Sequence, residues 1–199
     1  MKCNLPKDEL WEAFKKCDKS AFEQIYRTHA PLLLNYGSKI SRSLSLVEDS
    51  IQDLFVELWK SRSRLSSTTS VKFYLFKALR FKIYRNQDLM QVDTTEPVED
   101  HLYMFKSSSH EDVYIELEIQ SEQMKHLRDT LDKLPARQRE AINLRYFHNF
   151  SNEEIATIMG INYQSACKFI YAGLGNLKEN LKMSVMSVCF ALCVLSCSL

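Results

Sequence analysis

The chain has 199 residues, 45% of them hydrophobic, with only four glycines and four prolines. That content supports a packed core and excludes global disorder, and so few turn-formers exclude a turn-rich β architecture. The net charge of +1 conceals segregation that suits two polyanion-binding parts on an acidic connector: residues 20–87 carry 11 Lys+Arg against 5 Asp+Glu, residues 88–123 carry 1 against 10, and residues 124–182 carry 9 against 6.

In chain order, Asp8 to Lys16 reads as a short amphipathic helix. Ser20 to Lys39 follows, with Phe22, Ile25, Tyr26, Leu33 and Leu34 as its apolar residues, and then Leu46 to Trp59, with Val47, Ile51, Leu54, Phe55 and Leu58. The polar run SRSRLSSTTS, residues 61–70, is a loop placed to cap the next helix, Val71 to Arg85. A linker over residues 88–110 holds Pro97, three consecutive serines and much of the acidic excess. The pattern Ser108-x-x-Glu111 marks the start of a third block, continuing through Leu117, Met124, Leu127 and Leu131 to Leu134. Pro135 suits the first turn of another helix, expected to end near Asn149. The organisation is all-α: a helical domain over residues 8–87, the linker, a second helical domain over residues 111–182, and an apolar tail over residues 183–199.

The stretch SNEEIATIMGINYQSACKFIY begins at Ser151. Ser151 and Glu154 form a capping box, Ile155, Ala156 and Met159 supply an apolar face, and Gly160 provides the left-handed residue that stops the helix. Ile161 plugs the corner, Asn162 caps a second helix, and Ala166, Ile170 and Leu174 point inward. This spacing describes a helix-turn-helix whose second helix leaves Tyr163, Gln164, Ser165, Cys167, Lys168 and Tyr171 for DNA. The alternative is an ordinary helical hairpin.

In VKFYLFKALRFKIYR, Leu75, Phe76, Leu79 and Ile83 make a sufficient core face. Phe73, Lys77, Arg80 and Tyr84 fall together elsewhere, with Tyr74, Phe81 and Arg85 adjacent. Rings interleaved with cations suit unstacked single-stranded bases, the rings stacking and the cations meeting phosphate; the alternative is a helix buried on two sides. In DSIQDLFVELW, Asp49, Gln52 and Asp53 share a face opposite the apolar one. An acidic row beside a basic-aromatic helix favours a protein partner over DNA.

At these residues the chain resembles the sigma-70 family of RNA polymerase sigma factors, extracytoplasmic-function type. The resemblance covers about residues 20–182 and rests on AFEQIYRTHAPLLLNYGSKI, on DSIQDLFVELW, on VKFYLFKALRFKIYR, and on LDKLPARQREAINLRYFHNFSNEEIATIMGIN. It implies a promoter-specificity subunit whose partners are core RNA polymerase and promoter DNA, with an anti-sigma factor as a further partner that the family admits. Docking on polymerase then falls to Asp49, Gln52 and Asp53, with Leu54 and Trp59 of the same helix. Capture and melting of the minus-ten element fall to the loop at residues 61–70 and to Phe73, Lys77, Arg80, Tyr84 and Arg85. Reading of the minus-thirty-five element falls to Tyr163, Gln164, Ser165, Cys167, Lys168 and Tyr171, and the acidic linker is expected in channels that otherwise carry nucleic acid.

Two features depart from the family pattern. Cys167, Phe169, Gly173, Gly175 and Asn176 stand where relatives carry several cations, and each glycine is expected to weaken its helix by roughly 1 kcal/mol relative to alanine. The tail, MSVMSVCFALCVLSCSL, is uncharged and reads as a helix packed on the third block, with contact to a membrane or a partner as the alternative. The N-terminus shows no signal-peptide pattern, which points to a cytoplasmic protein. None of the six cysteines forms a C-x-x-C pair, and the run Cys189, Cys193, Cys197 has no His or carboxylate beside it, so no metal site is expected. No nucleophile is paired with a base, no glycine-rich phosphate loop is present and the five histidines are scattered, so neither catalysis nor a cofactor is expected. A duplex-binding regulator that never meets polymerase and an all-α regulatory module are the competing functions. The D-x-x-Q-D helix argues against the first.

Overall fold

A computed structural model describes residues 7–66, 68, 70–93 and 126–181, and among these every regular element is helical. The first bundle comprises α1 (Lys7–Lys15), α2 (Lys19–Ile40), α3 (Leu44–Ser61) and α4 (Val71–Asp93), with a 3-10 turn at Arg62–Arg64. The second comprises α5 (residues 126–132), α6 (Ala136–Ile142), a π turn (Asn143–Phe147), α7 (Asn152–Met159) and α8 (Tyr163–Leu181).

Local chemistry explains the helix starts. The Asp18 carboxylate accepts from the backbone N–H groups of Ser20 and Ala21 at 2.8 and 3.3 Å, satisfying orphan donors of α2. Its hydrogen bonds from Ser20, side chain first, hold its pKa below the ordinary carboxylate range. Ser43 caps α3 by accepting from Leu46 N–H, and Ser70 accepts from Phe73 N–H at the start of α4, the role expected of the polar loop. Pro31 lies inside α2, where it forfeits one helix donor without ending the helix.

The apolar faces meet as their periodicity requires. Val47, Leu54, Phe55 and Leu58 of α3 pack with Leu75, Phe76, Leu79 and Ile83 of α4, all buried. Trp11 and Phe14 of α1 close one end, and the Trp11 indole N–H donates to the Ser66 carbonyl at 3.1 Å, tying the loop to the bundle. α4 extends to Asp93, so the stretch from residue 88 begins as helix and not as linker. The rest of the linker and the apolar tail lie outside the described residues, as do Ser108 to Met124.

In the second bundle, the helix expected to reach Asn149 stops at Ile142. A wide π turn follows, His148 N–H donates to the Asn143 carbonyl at 3.3 Å, and Asn149 takes a left-handed φ of 54°. Asn tolerates that conformation better than most residues. Phe150 N–H then returns to the Leu144 carbonyl at 3.1 Å, which re-aims the Phe150 ring towards the first bundle. Gly173 also departs from expectation: it is buried, and a Cβ there would lie 2.9 Å from Ile142 Cγ1. It is the residue that lets α8 cross α6 closely, so its cost in helix propensity is offset by packing.

The two bundles share an interface in which α4 packs on α7 and α2 meets α6. Among the described residues, no helix is long and apolar enough to cross a membrane.

Candidate polymerase and nucleic-acid surfaces

α7 and α8 form the helix-turn-helix. The Ser151 side chain accepts from Glu154 N–H at 3.2 Å while the Glu154 carboxylate accepts from Ser151 N–H at 2.8 Å, a closed capping box. Gly160 has φ 64° and Ile161 N–H donates to the Ala156 carbonyl at 2.9 Å, the bond that seals a left-handed helix end. Asn162 accepts from Ser165 N–H at 2.7 Å and caps α8. With Ala166, Ile170 and Leu174 buried, α8 presents Tyr163, Gln164, Lys168 and Tyr171 outward, Tyr171 at 72% exposure.

Ser165 and Cys167 of the same set sit lower, both half-buried. The Asn152 amide donates to Cys167 Sγ at 3.3 Å, and Tyr163 shares a hydrogen bond with the same thiol, which leads the causes raising its hydroxyl above the ordinary tyrosine value. Cys167 therefore braces α8 against the start of α7, and the proposed DNA contacts narrow to the outward four.

On α3, Asp49, Gln52 and Asp53 are exposed in one row, extended by Val56 at 49% exposure. Leu54 requires correction as a docking residue, and Trp59 is only partly exposed. Leu54 is 3% exposed and belongs to the core. Trp59 is half-buried among Phe14 and Phe22, with the Arg62 guanidinium 4.5 Å from its ring centroid. Leu54 therefore holds α3 in place, while Trp59 keeps part of its ring at the surface. Val56 is the exposed apolar member of the row, and its position between Asp53 and Lys60 on the polar side was the sequence signal for it.

The α4 set is divided by the second bundle. Lys77, Tyr84 and Arg85 are exposed. Phe73 is half-buried, its ring 6.4 Å from that of Phe150 and edge-on to it. Arg80 stacks 4.4 Å over the Tyr84 ring, and its Nε donates to Glu140 Oε1 at 2.7 Å. Burial opposes the charge on Arg80, but the Glu140 carboxylate overcomes that and raises its basicity further. Phe81, absent from the sequence-derived site, is the most exposed aromatic of α4 at 66%. With Tyr74, Lys82 and Arg85 it borders a cleft of about 160 Å³ against α3, where Lys82 pairs with Glu57 at 2.7 Å. Helical spacing had already set it adjacent to Lys77 and Tyr84, without including it among the site residues.

Among the described residues, no cluster of His, Cys, Asp or Glu could hold a metal ion. The buried His148 is neutral, its acidity shifted to about 4 by desolvation and by the Lys72 charge.

Comparison with known proteins agrees with this division. Residues 25–87 match the family model for Sigma-70 region 2 and residues 125–176 match that for Sigma-70, region 4, together more than half of the chain. Among curated relatives, RNA polymerase sigma factor CarQ of Myxococcus xanthus is 27% identical over 176 residues, covering 84% of this chain and 93% of that protein. RNA polymerase sigma factor SigZ of Bacillus subtilis is 23% identical over 175 residues, covering 88% and 86%. Among solved structures, the sigma factor RpoE bound to the anti-sigma factor NepR from Bartonella quintana aligns with TM-score 0.54 and 25% identity, over 81% of this chain and 96% of that one. CnrH in complex with the cytosolic domain of CnrY shares the fold, with TM-score 0.58 and 19% identity over 88% of this chain and 96% of that one.

Proposed function

The chain belongs to the sigma-70 family, as an extracytoplasmic-function RNA polymerase sigma factor for transcription initiation, and we propose that its surfaces divide that work as follows. It carries no catalysis of its own. α3 docks on core RNA polymerase through Asp49, Gln52 and Asp53, with Val56 adding apolar contact at the row's end. The loop after α3 and the outer face of α4 capture the unstacked strand of the minus-ten element. Lys77 and Arg80 meet phosphate, while Phe73, Phe81 and Tyr84 stack on bases. α8 enters the major groove of the minus-thirty-five element with its N-terminal end leading. The protein works in the cytoplasm. The solved complexes of RpoE and CnrH make an anti-sigma protein a reasonable further partner for this chain.

The observation that carries this reading is one pairing: a capped helix-turn-helix with an exposed α8, and an exposed acidic-polar row on a separate bundle. A regulator confined to duplex DNA has no use for that row. The test is co-purification with core polymerase followed by run-off transcription on genomic fragments. Wild type should be retained by core and yield discrete transcripts. Asp53→Arg should lose most of that retention with little change in thermal stability, because the carboxylate is exposed and its replacement disturbs no packing. Normal retention of Asp53→Arg would remove the docking assignment.

A further inference from the structure

At the turn between α1 and α2, Cys17 has φ 69°, the left-handed conformation that strains a side chain and suits glycine. The hydrogen bonds around it explain the position. Cys17 N–H donates to the Phe14 carbonyl at 3.0 Å and Asp18 N–H to the Ala13 carbonyl at 3.1 Å, the paired bonds of a helix end where glycine is the usual residue. What Cys17 has that glycine lacks is a thiol, and Arg62 Nε donates to its Sγ at 3.0 Å although 45 positions separate the two residues.

Two further contacts fix the Arg62 guanidinium. Its Nη1 donates to the Trp59 carbonyl at 2.6 Å, and the group stacks 4.5 Å from the centre of the Trp59 ring. Nη2 has no partner among the described residues. Arg62 forms no ion pair among the described residues, and neither do the exposed Lys16, Lys19 and Arg64. The two acids of the turn are engaged: Glu12 pairs with Lys15 at 3.2 Å, and Asp18 caps α2. The contact from Arg62 to Cys17 thus sets Lys16 and Lys19 beside the start of the loop after α3, whose later part Trp11 holds through the Ser66 carbonyl.

We propose that this cationic corner is a phosphate site for the captured single strand where it runs on beyond the minus-ten element, and that Cys17 is the positioning residue that aims Arg62 at it. The proposal rests on reading the loop after α3 as part of the strand-capture surface.

Charge and continuity carry the assignment. A guanidinium with free N–H groups matches phosphate oxygens, and one already held by its neighbours loses less freedom on binding. None of the exposed aromatic residues lies on α1 or on the 3-10 turn, so the corner offers the strand cations and no exposed ring. It should add affinity without base preference, as phosphate contacts do. An acidic protein surface would also suit four unpaired cations, but the corner adjoins the loop assigned to the strand.

The test uses the full chain and a labelled oligothymidylate of about 16 nucleotides, long enough to span more than one phosphate site. Fluorescence anisotropy over a range of salt gives the affinity and its salt slope. Lys16→Ser/Lys19→Ser/Arg64→Ser should lower the slope by about two, at about 0.7 per phosphate contact on a single strand. Duplex of the same length should be affected much less, since α8 supplies that contact. An unchanged slope on the single strand, or an equal loss on duplex, would overturn the strand site. Unaltered strand binding with lost retention by core polymerase would overturn it in favour of a protein contact. Lys77→Ser/Arg85→Ser, on α4, separates this proposal from the reading beneath it. If the α4 variant weakens strand binding and the corner variant does not, the corner fails and strand capture by α4 stands. Cys17→Gly tests the positioning role. It relieves the left-handed strain and removes the Sγ acceptor together, so thermal stability should be equal or higher while strand binding weakens severalfold. Cys17→Ser, whose hydroxyl can still accept from Arg62, should bind like the wild type. Wild-type binding by Cys17→Gly, or a joint loss of stability and binding, would remove that role.

Discussion

His148 is enclosed between the Tyr36 and Phe76 rings, 4% exposed, with both ring nitrogens lacking hydrogen-bond partners among the described residues. Its pKa falls from 6.5 to about 4, chiefly through desolvation and then through the Lys72 charge. Between those values the unfolded chain binds a proton that the folded chain refuses, so stability rises with pH across that window. His148 therefore adds no pH-dependent cost above pH 6.5 and progressively penalises the folded state as pH falls towards 4, by about 3 kcal/mol in total at 1.36 kcal/mol per unit. His148→Phe should remove that slope. Urea unfolding from pH 7 to pH 4 should show the variant gaining on the wild type as the pH falls, with the gap small at pH 7. Parallel profiles for the two proteins would mean that His148 titrates normally. Nothing in the sequence marked this residue, since its burial depends on Tyr36 and Phe76 arriving from far away in the chain. Lys77 and Tyr84, by contrast, were legible from helical spacing alone and are exposed as expected.

The elements most legible in the sequence are those decided locally. The Ser151–Glu154 box, Gly160 and Asn162 act within four residues of themselves, and each takes the role its chemistry implies. The π turn was not legible, because Asn149 resembles any helix-end residue until the return of Phe150 is known. Leu54 shows the limit of a role carried over from a resemblance: the spacing already placed it on the apolar face, and the helix's rotation in its bundle buries it there. For α8 that rotation gives a sharp expectation. Gln164 is exposed near the leading end of the helix, and its amide can pair with adenine N6 and N7. Lys168 lies one turn further along and suits phosphate. Gln164→Ala should relax preference at one base position, at a cost of about 1–3 kcal/mol on the best site. Lys168→Ala should weaken all sites alike and lower the salt slope by about one. A panel of single-base variants at two salt concentrations, bound by the holoenzyme, distinguishes these. A sequence-selective loss in Lys168→Ala would exchange the two roles.

At the scale of the molecule, the sequence conveys two helical domains and an acidic connection but not that the domains meet. The contacts that join them link residues 104 and 60 positions apart, Tyr36 with Glu140 and Arg80 with Glu140, and no periodicity spans such distances. An arginine on a basic-aromatic helix and a carboxylate in an amphipathic helix each have ordinary local readings. Their pairing is a property of the assembled chain. It also divides the cohesion of the interface into two kinds. Glu140 contributes direction, since a buried ion pair gives little net stability. Phe150, 3% exposed, contributes apolar area between Phe76 and Phe73, with Lys72 Nζ 5.1 Å from its ring centroid. Truncating a ring buried this way commonly costs about 3–5 kcal/mol, and here the loss falls on the contact between bundles and not on either core. The wild type should therefore unfold in one calorimetric transition, because the interface couples two small bundles that are each marginal alone. Phe150→Ala should resolve that transition into two, with the bundles melting separately and the earlier midpoint below that of the wild type. A single transition in Phe150→Ala, merely shifted to lower temperature, would place the ring in the cohesion of one bundle and deny it the coupling role.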